Sequence, residues 1–420
     1  MSPPASSIVT PRAGQATWQG ILPASDDYAL KFIYTNDVLA NVRGGKKRGG
    51  IDQGKLEASL YADMEKAAGM KGLTFFANGF FIHNTGRMRR DYVGGINTIA
   101  AIEATPTTRL SELWLEQSFA GGRTSLRIGQ LTADSEFFTS DVSDLFLQSD
   151  WATITAVNLP SGAPAYPLST PGIRLRIDPA DNASVLFAVF NGDPAGPGPG
   201  DEQERNPHGL NLRVNDPALL MLEMQLRANQ GRHDTGLARS LKLGGWAHLG
   251  QFDDQRYAND GTLLADPGGS GVPAKHRGNQ GIYAVIDQQI HRPPGGGASS
   301  GVAVFSRISG NPSDRNAISF FIDGGIVFAG LVPGRPHDRF GLSAIYARYS
   351  ESARAHDRDQ AQFSGVPAVV RDYEANLEMT YLFQLTASLT MHPVLTRVWH
   401  ASGGAYPNAT VAGARAVLRF

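Results

Sequence analysis

The chain has 420 residues and a formal net charge of -1, which excludes a globally basic nucleic-acid binder. Cysteine is absent, so disulfides and thiolate metal sites are excluded. No run approaches the roughly 18 apolar residues of a membrane helix, so any membrane insertion must use β-structure.

Residues 1–27 are rich in Pro, Ser and Gly and are expected to form an irregular periplasmic arm. Met1 leads directly into Ser2, Pro3 and Pro4 with no signal peptide, which is the expectation for a mature form of an exported protein. Residues 28–420 divide into about sixteen segments of period 2 bounded by turn residues. They begin near Tyr28, Gly54, Lys71, Arg109, Arg123, Pro171, Ala183, Pro217, Ala238, Asn279, Ser300, Asn316, Asp338, Val370, Leu385 and Ala409.

Within these segments one face is apolar and the other mixed or charged. Arg109 to Phe119 sets Leu113, Leu115 and Phe119 against Glu112, Trp114 and Glu116. Leu220, Leu222, Met224 and Leu226 alternate with Leu219, Met221, Glu223 and Gln225, and Tyr373, Ala375, Leu377 and Met379 with Glu374, Asn376 and Glu378. The last segment sets Ala412, Ala414, Ala416, Leu418 and Phe420 opposite Arg415 and Arg419. A transmembrane barrel has this pattern, with apolar residues toward lipid and charges toward an aqueous lumen. Tyr28, Phe119, Phe190, Tyr349 and Tyr381, near segment ends, are the expected interfacial girdle.

Gaps after segments 1, 3, 5, 7, 9 and 13 are long, very roughly 12 to 40 residues, and those after even segments are mostly below about ten. That asymmetry predicts short periplasmic turns and long external loops. The fold class is therefore all-β, a sixteen-stranded antiparallel transmembrane β-barrel. The gap at 131–170 is the expected constriction loop, because Phe137, Phe138, Leu145, Phe146 and Trp151 need burial and would fold it inward.

Glu112, Glu116, Arg127, Arg174, Arg176, Asp372, Glu374 and Glu378 fall on the lumen faces. Opposite charges there offer donors and acceptors to a polyhydroxylated solute without a strong field of one sign. Trp151, on the inward loop, joins the expected solute contacts. No Gly-x-Ser-x-Gly, His-Glu-x-x-His or Walker motif is present, so no catalytic residue or cofactor is assigned. Asp201, Glu202 and Glu204 of the 191–206 loop lack EF-hand spacing and read as a solvated acidic loop, with calcium left open.

The stretch Arg109-Leu110-Ser111-Glu112-Leu113-Trp114-Leu115-Glu116-Gln117-Ser118-Phe119, with Ser125 to Leu131 and then Asp134, Glu136 and Phe137, resembles the OprB family of carbohydrate-selective outer-membrane porins. Asp37 to Asn41, Pro171 to Arg176, Val189 to Gly196 and Gly330 to Arg335 extend the resemblance along the chain. It implies a bacterial outer-membrane location and passive uptake of monosaccharides and small polyols. It also implies a constriction of arginines and acids onto which Glu112, Glu116 and Arg127 map. Small carbohydrates, outer-membrane lipid and the barrel-assembly machinery are the expected partners, with a homo-oligomer left open and nucleic acid excluded. The family's N-terminal region is reduced to Trp18 and Gly20, and Val398 to Gly404 departs from its usual turn. A pore or structural partner for polysaccharide secretion is the competing reading.

Overall fold

Hydrocarbon offers no partner to a backbone N–H or C=O, so strands that cross it must all be paired. The computed structural model, which describes residues 27–149, 157–231 and 234–420, meets that demand with a closed ring of sixteen antiparallel strands. The first eight are β1 (Tyr28–Arg43), β2 (Gly49–Asp63), β3 (Leu73–Asn84), β4 (Thr107–Phe119), β5 (Thr124–Leu131), β6 (Thr170–Ala180), β7 (Ala183–Asn191) and β8 (Ala218–Ala228). The rest are β9 (Arg239–Ala258), β10 (Pro273–His291), β11 (Gly301–Gly310), β12 (Ile318–Ala329), β13 (Arg339–Tyr349), β14 (Tyr373–Gln384), β15 (Leu389–Trp399) and β16 (Ala409–Arg419). Each strand pairs with its sequence neighbours, and β16 returns to β1. The expected irregular arm lies outside the described residues, apart from Asp27.

An ion pair reinforces the closing seam. Asp37 on β1 stands opposite Arg415 on β16. The guanidinium grips the carboxylate through Nε–Oδ1 at 2.7 Å and Nη2–Oδ2 at 2.9 Å, and Gln53 donates to the same carboxylate at 3.0 Å. Two parallel bonds between these planar groups fix register as well as attraction.

The expected face logic holds. On β8, Leu222, Met224 and Leu226 are exposed while Leu219, Met221, Glu223 and Gln225 are buried. On β14, Leu377 and Met379 are exposed while Glu374, Asn376, Glu378 and Thr380 are buried. The girdle differs from expectation. Phe190 and Tyr349 are inward and buried, because strand parity groups them with Ala188 and Ala347. Outward aromatic rows instead cross β12–β15 at two heights. Phe320, Tyr346, Tyr373 and His400 form one, with ring centroids 6.4, 5.2 and 4.2 Å apart in succession. Phe328, Phe340, Tyr381 and Phe383 form the other. Along β14, Tyr373 and Tyr381 are separated by about 27 Å of strand at roughly 3.4 Å per residue. A tilt near 40° reduces that to roughly 20 Å, close to the apolar band of an outer-membrane barrel.

Both described chain ends, near Tyr28 and at Phe420, lie at one end of the barrel, with short turns such as 120–123, 181–182 and 385–388. The opposite end carries 85–106, 132–169, 192–217 and 350–372. One expected long loop is short. Only residues 44–48 join β1 to β2, because β2 starts at Gly49 rather than near Gly54. Gly44 and Gly45 adopt φ of +68° and +66°, and the Asn41 amide donates to the carbonyls of Gly44 and Lys47, both at 2.8 Å. Tight turns of this kind need left-handed residues, which glycine supplies at little cost. Strand β10 likewise starts earlier than expected, at Pro273 rather than near Asn279.

The outward assignment of β8 predicts that Leu222→Arg destabilises the barrel by about 2–4 kcal/mol, the cost of a cation on the lipid face near midplane. Urea titration of the protein folded into phospholipid vesicles measures it, and an unshifted midpoint would place this face away from lipid.

Candidate functional site

A loop entering the lumen must bury apolar side chains and find partners for its backbone. Residues 132–149, after β5, do both. Phe137 and Phe138 pack on inward residues of β7–β13, including Leu219, Met221, Trp246, Val285 and Phe321. Phe138 stacks on Tyr283 with centroids 4.2 Å apart. Phe146 meets Phe305 and lies over Gly341, where a Cβ would stand 2.6 Å from its Cζ. Only a glycine wall lets the ring approach so closely.

The loop's backbone is caught by wall side chains. Glu223 accepts from Phe138 N at 2.7 Å, Asp287 from Asp141 N at 2.9 Å, and Glu378 from Leu147 N and Gln148 N, both at 2.8 Å. Lys242 donates to the Thr139 carbonyl at 2.7 Å, and Arg339 to Asp144 at 2.8 Å. The loop after β3 is held the same way. Glu374 accepts from Ile96 N at 2.9 Å and Asn97 N at 2.7 Å. Ala101 N then reaches Leu147 O at 2.8 Å, so the two inward loops meet. Within the first of them, Arg89 N donates to Glu103 at 2.7 Å, and burial raises that carboxyl above the usual range despite the nearby Arg89 guanidinium.

On the facing wall, Thr74, Glu116, Arg127 and Arg174 stand in one row across β3–β6. Glu136 descends from the loop to complete a charge quartet. Glu116 Oε2 lies 2.7 Å from Arg127 and 3.1 Å from Arg174. Glu136 Oε2 lies 3.2 Å from Arg127 and 2.8 Å from Arg174. Each carboxylate oxygen therefore sits between two guanidiniums. Beneath them the Arg127 guanidinium covers Trp114 at 3.8 Å, and Trp114 stacks on Phe76 at 4.9 Å. On the adjoining strands, Lys55 pairs with Glu57 at 3.1 Å, and Asn78 donates to Glu57 at 3.0 Å and Ser59 at 2.7 Å. The wall thus carries closely spaced charge-assisted donors and acceptors, with Arg127, Arg174 and Trp114 buried and Glu116 and Glu136 partly exposed.

Of the residues singled out from sequence, Glu116, Arg127 and Arg174 come together. Glu112 accepts from Thr132 N at 3.4 Å, a hinge of the loop rather than part of the quartet. Glu374 and Glu378 hold loop amides. Arg176 turns to Asp178 at 2.8 Å and Ser184 at 3.2 Å. Trp151 lies outside the described residues. The fourth quartet member, Glu136, was signalled only by its place beside Asp134 and Phe137 in the inward stretch. In the 191–206 loop, Asp201 pairs with Arg87 at 2.6 Å and caps the turn Glu202–Arg205. Among the described residues, no group of three or more His, Asp or Glu is placed to hold a metal ion.

Removing the Glu378 carboxylate leaves two buried N–H groups without acceptors, at about 1–3 kcal/mol each. Glu378→Ala is expected to accelerate hydrogen exchange at Leu147 and Gln148 by ten-fold or more (one decade is about 1.4 kcal/mol) while the strand amides stay protected. Unchanged exchange would show that the loop is held by its apolar contacts alone.

The family model for carbohydrate-selective porins of the OprB family matches residues 47–420. Porin B of Pseudomonas aeruginosa is 24% identical over 408 residues, covering 92% of this chain and 86% of that protein. The high-pH structure of Pseudomonas putida OprB superposes with a TM-score of 0.80 at 18% identity, covering 94% of each chain. The low-pH structure of the same protein gives 0.54 at 15% identity, covering 94% of this chain and 93% of that one.

Proposed function

The chain belongs to the OprB family of carbohydrate-selective porins, and we propose that its lumen passes monosaccharides and small polyols across the bacterial outer membrane by diffusion, selected at the Glu116–Arg127–Glu136–Arg174 quartet. The alternating quartet is the observation that carries this reading. A sugar offers hydroxyls that both donate and accept, and it loses water on entering a narrow passage. A wall of alternating guanidinium and carboxylate groups replaces those hydrogen bonds without favouring a solute charge of either sign. Phe76, stacked on the buried Trp114 and itself only partly buried, adds an apolar surface of the kind that suits the C–H face of a pyranose.

The end that carries Tyr28 and Phe420 is assigned to the periplasm and the long-loop end to the outside, in keeping with the usual loop asymmetry of such barrels. Residues 132–169 are assigned as the constriction loop, held by Glu223, Asp287 and Glu378. Diffusion down a gradient needs no chemical step, so the quartet is assigned a binding role rather than a catalytic one. A lumen crossed by two pinned loops favours small solutes over an exported polysaccharide.

Purified protein in liposomes is expected to pass glucose faster than amino acids of similar mass. Equal rates would remove carbohydrate selectivity, and no flux would remove the channel. Arg127→Ala is expected to change sugar flux and conductance while heat-modifiable gel migration still reports a folded barrel. An unchanged channel would take Arg127 out of the constriction.

A further inference from the structure

The lumen face of β16 ends in a guanidinium with no anion bound. Arg419 shares its face with Arg415 and Val417 and is half-buried on the last rung of the strand. Its backbone N donates to Ser388 O in the turn before β15. Among the described residues, no carboxylate and no hydrogen-bond acceptor lies within bonding distance of its side chain. Arg339 and Asp144 act on it electrostatically without bonding to it, and Asp144 is held by Arg339 at 2.8 Å. Farther up the wall, Arg415 is taken by Asp37, and both Glu378 oxygens accept loop amides. His392, buried and opposite Arg415, adds no anion.

A half-buried guanidinium without a protein counter-ion keeps its hydrogen-bond donors open to water or to an anion from solution. Its planar fork matches a carboxylate in two parallel hydrogen bonds. Arg339 adds positive field at this spot and Asp144 offsets part of it, yet neither forms a bond with the Arg419 side chain.

We propose that Arg419 is a second solute position, distinct from the quartet, that takes the carboxylate of a sugar acid at the chain-terminal end of the lumen. The proposal rests on reading the lumen as a solute path. It extends the channel's solutes from neutral sugars to aldonic or uronic acids. Arg419 then meets an entering acid near that end of the lumen, with Lys31 of β1 on the same face two residues further out, and it replaces part of the hydration of the carboxylate.

The test uses the full chain in liposomes and three solutes: glucose, glucuronate and glucuronamide. The last two share ring and size and differ in charge. Wild type is expected to pass glucuronate about threefold or more faster than glucuronamide, as a local cation raises the concentration of a counter-charged solute. Arg419→Gln is expected to bring that ratio to about one with glucose flux unchanged, and Arg419→Lys to keep most of it. Equal glucuronate and glucuronamide fluxes in wild type would overturn the proposal without any variant. So would a ratio that survives Arg419→Gln. Loss of glucose flux in wild type would overturn the channel reading, and this proposal with it, whereas glucose flux without the acid preference overturns this proposal alone.

Discussion

A strand in hydrocarbon cannot leave its edge unpaired, and everything else in this barrel follows from that requirement. Closure of β1 on β16 removes the last edge. Once the ring is shut, each strand has one face toward lipid and one toward the lumen. Side chains must then sort by parity, and this inverts the inside and outside of a soluble protein. The Asp37–Arg415 pair sits at the seam on the lumen face, where a charge pair is tolerated. The same pair one residue along would face lipid.

The rule that closes the ring also governs what enters it. A loop inside the barrel carries N–H groups that are largely shielded from water, and the wall supplies acceptors for them. Glu223, Asp287, Glu374 and Glu378 each bind loop amides. Acidic residues on the lumen face therefore divide into two kinds. Some hold the loops, and Glu116 with the loop's own Glu136 meets arginines. A list of inward charges does not separate the kinds, because both are inward; burial does, since Glu223, Glu374 and Glu378 are fully buried and Glu116 and Glu136 are not.

Much of the fold was legible along the chain. Period-2 alternation located the strands, and most starts fell within a few residues of those observed. The start near Gly54 was late because Ile51 and Gln53 belong to a segment that opens with Gly49 and Gly50, which read as turn residues. The lumen-facing apolar residues Leu219 and Met221, on the face that also bears Glu223, were the visible sign that something apolar lies against that wall. Phe137 and Phe138 in the long loop were its counterpart. The loop's apolar residues were enough to predict that it folds inward, and the structure shows which wall they pack on.

The sequence by itself determined strand number, facing and the inward turn of the loop, since each rests on local pattern: alternation, turn residues, and apolar side chains that need cover. It also placed Glu116, Arg127 and Arg174 on lumen faces. Only the tertiary structure decided their partners. Arg127 and Arg174 converge on Glu116 and Glu136 because strand register aligns three of them in one row and the loop delivers the fourth. Register and loop docking depend on contacts between residues far apart in the chain, and period-2 spacing carries no information about which distant rung two strands share. For the same reason Arg176, two residues from Arg174 and on the same face, meets Asp178 and Ser184, and Arg419 at the end of β16 meets no anion among the described residues.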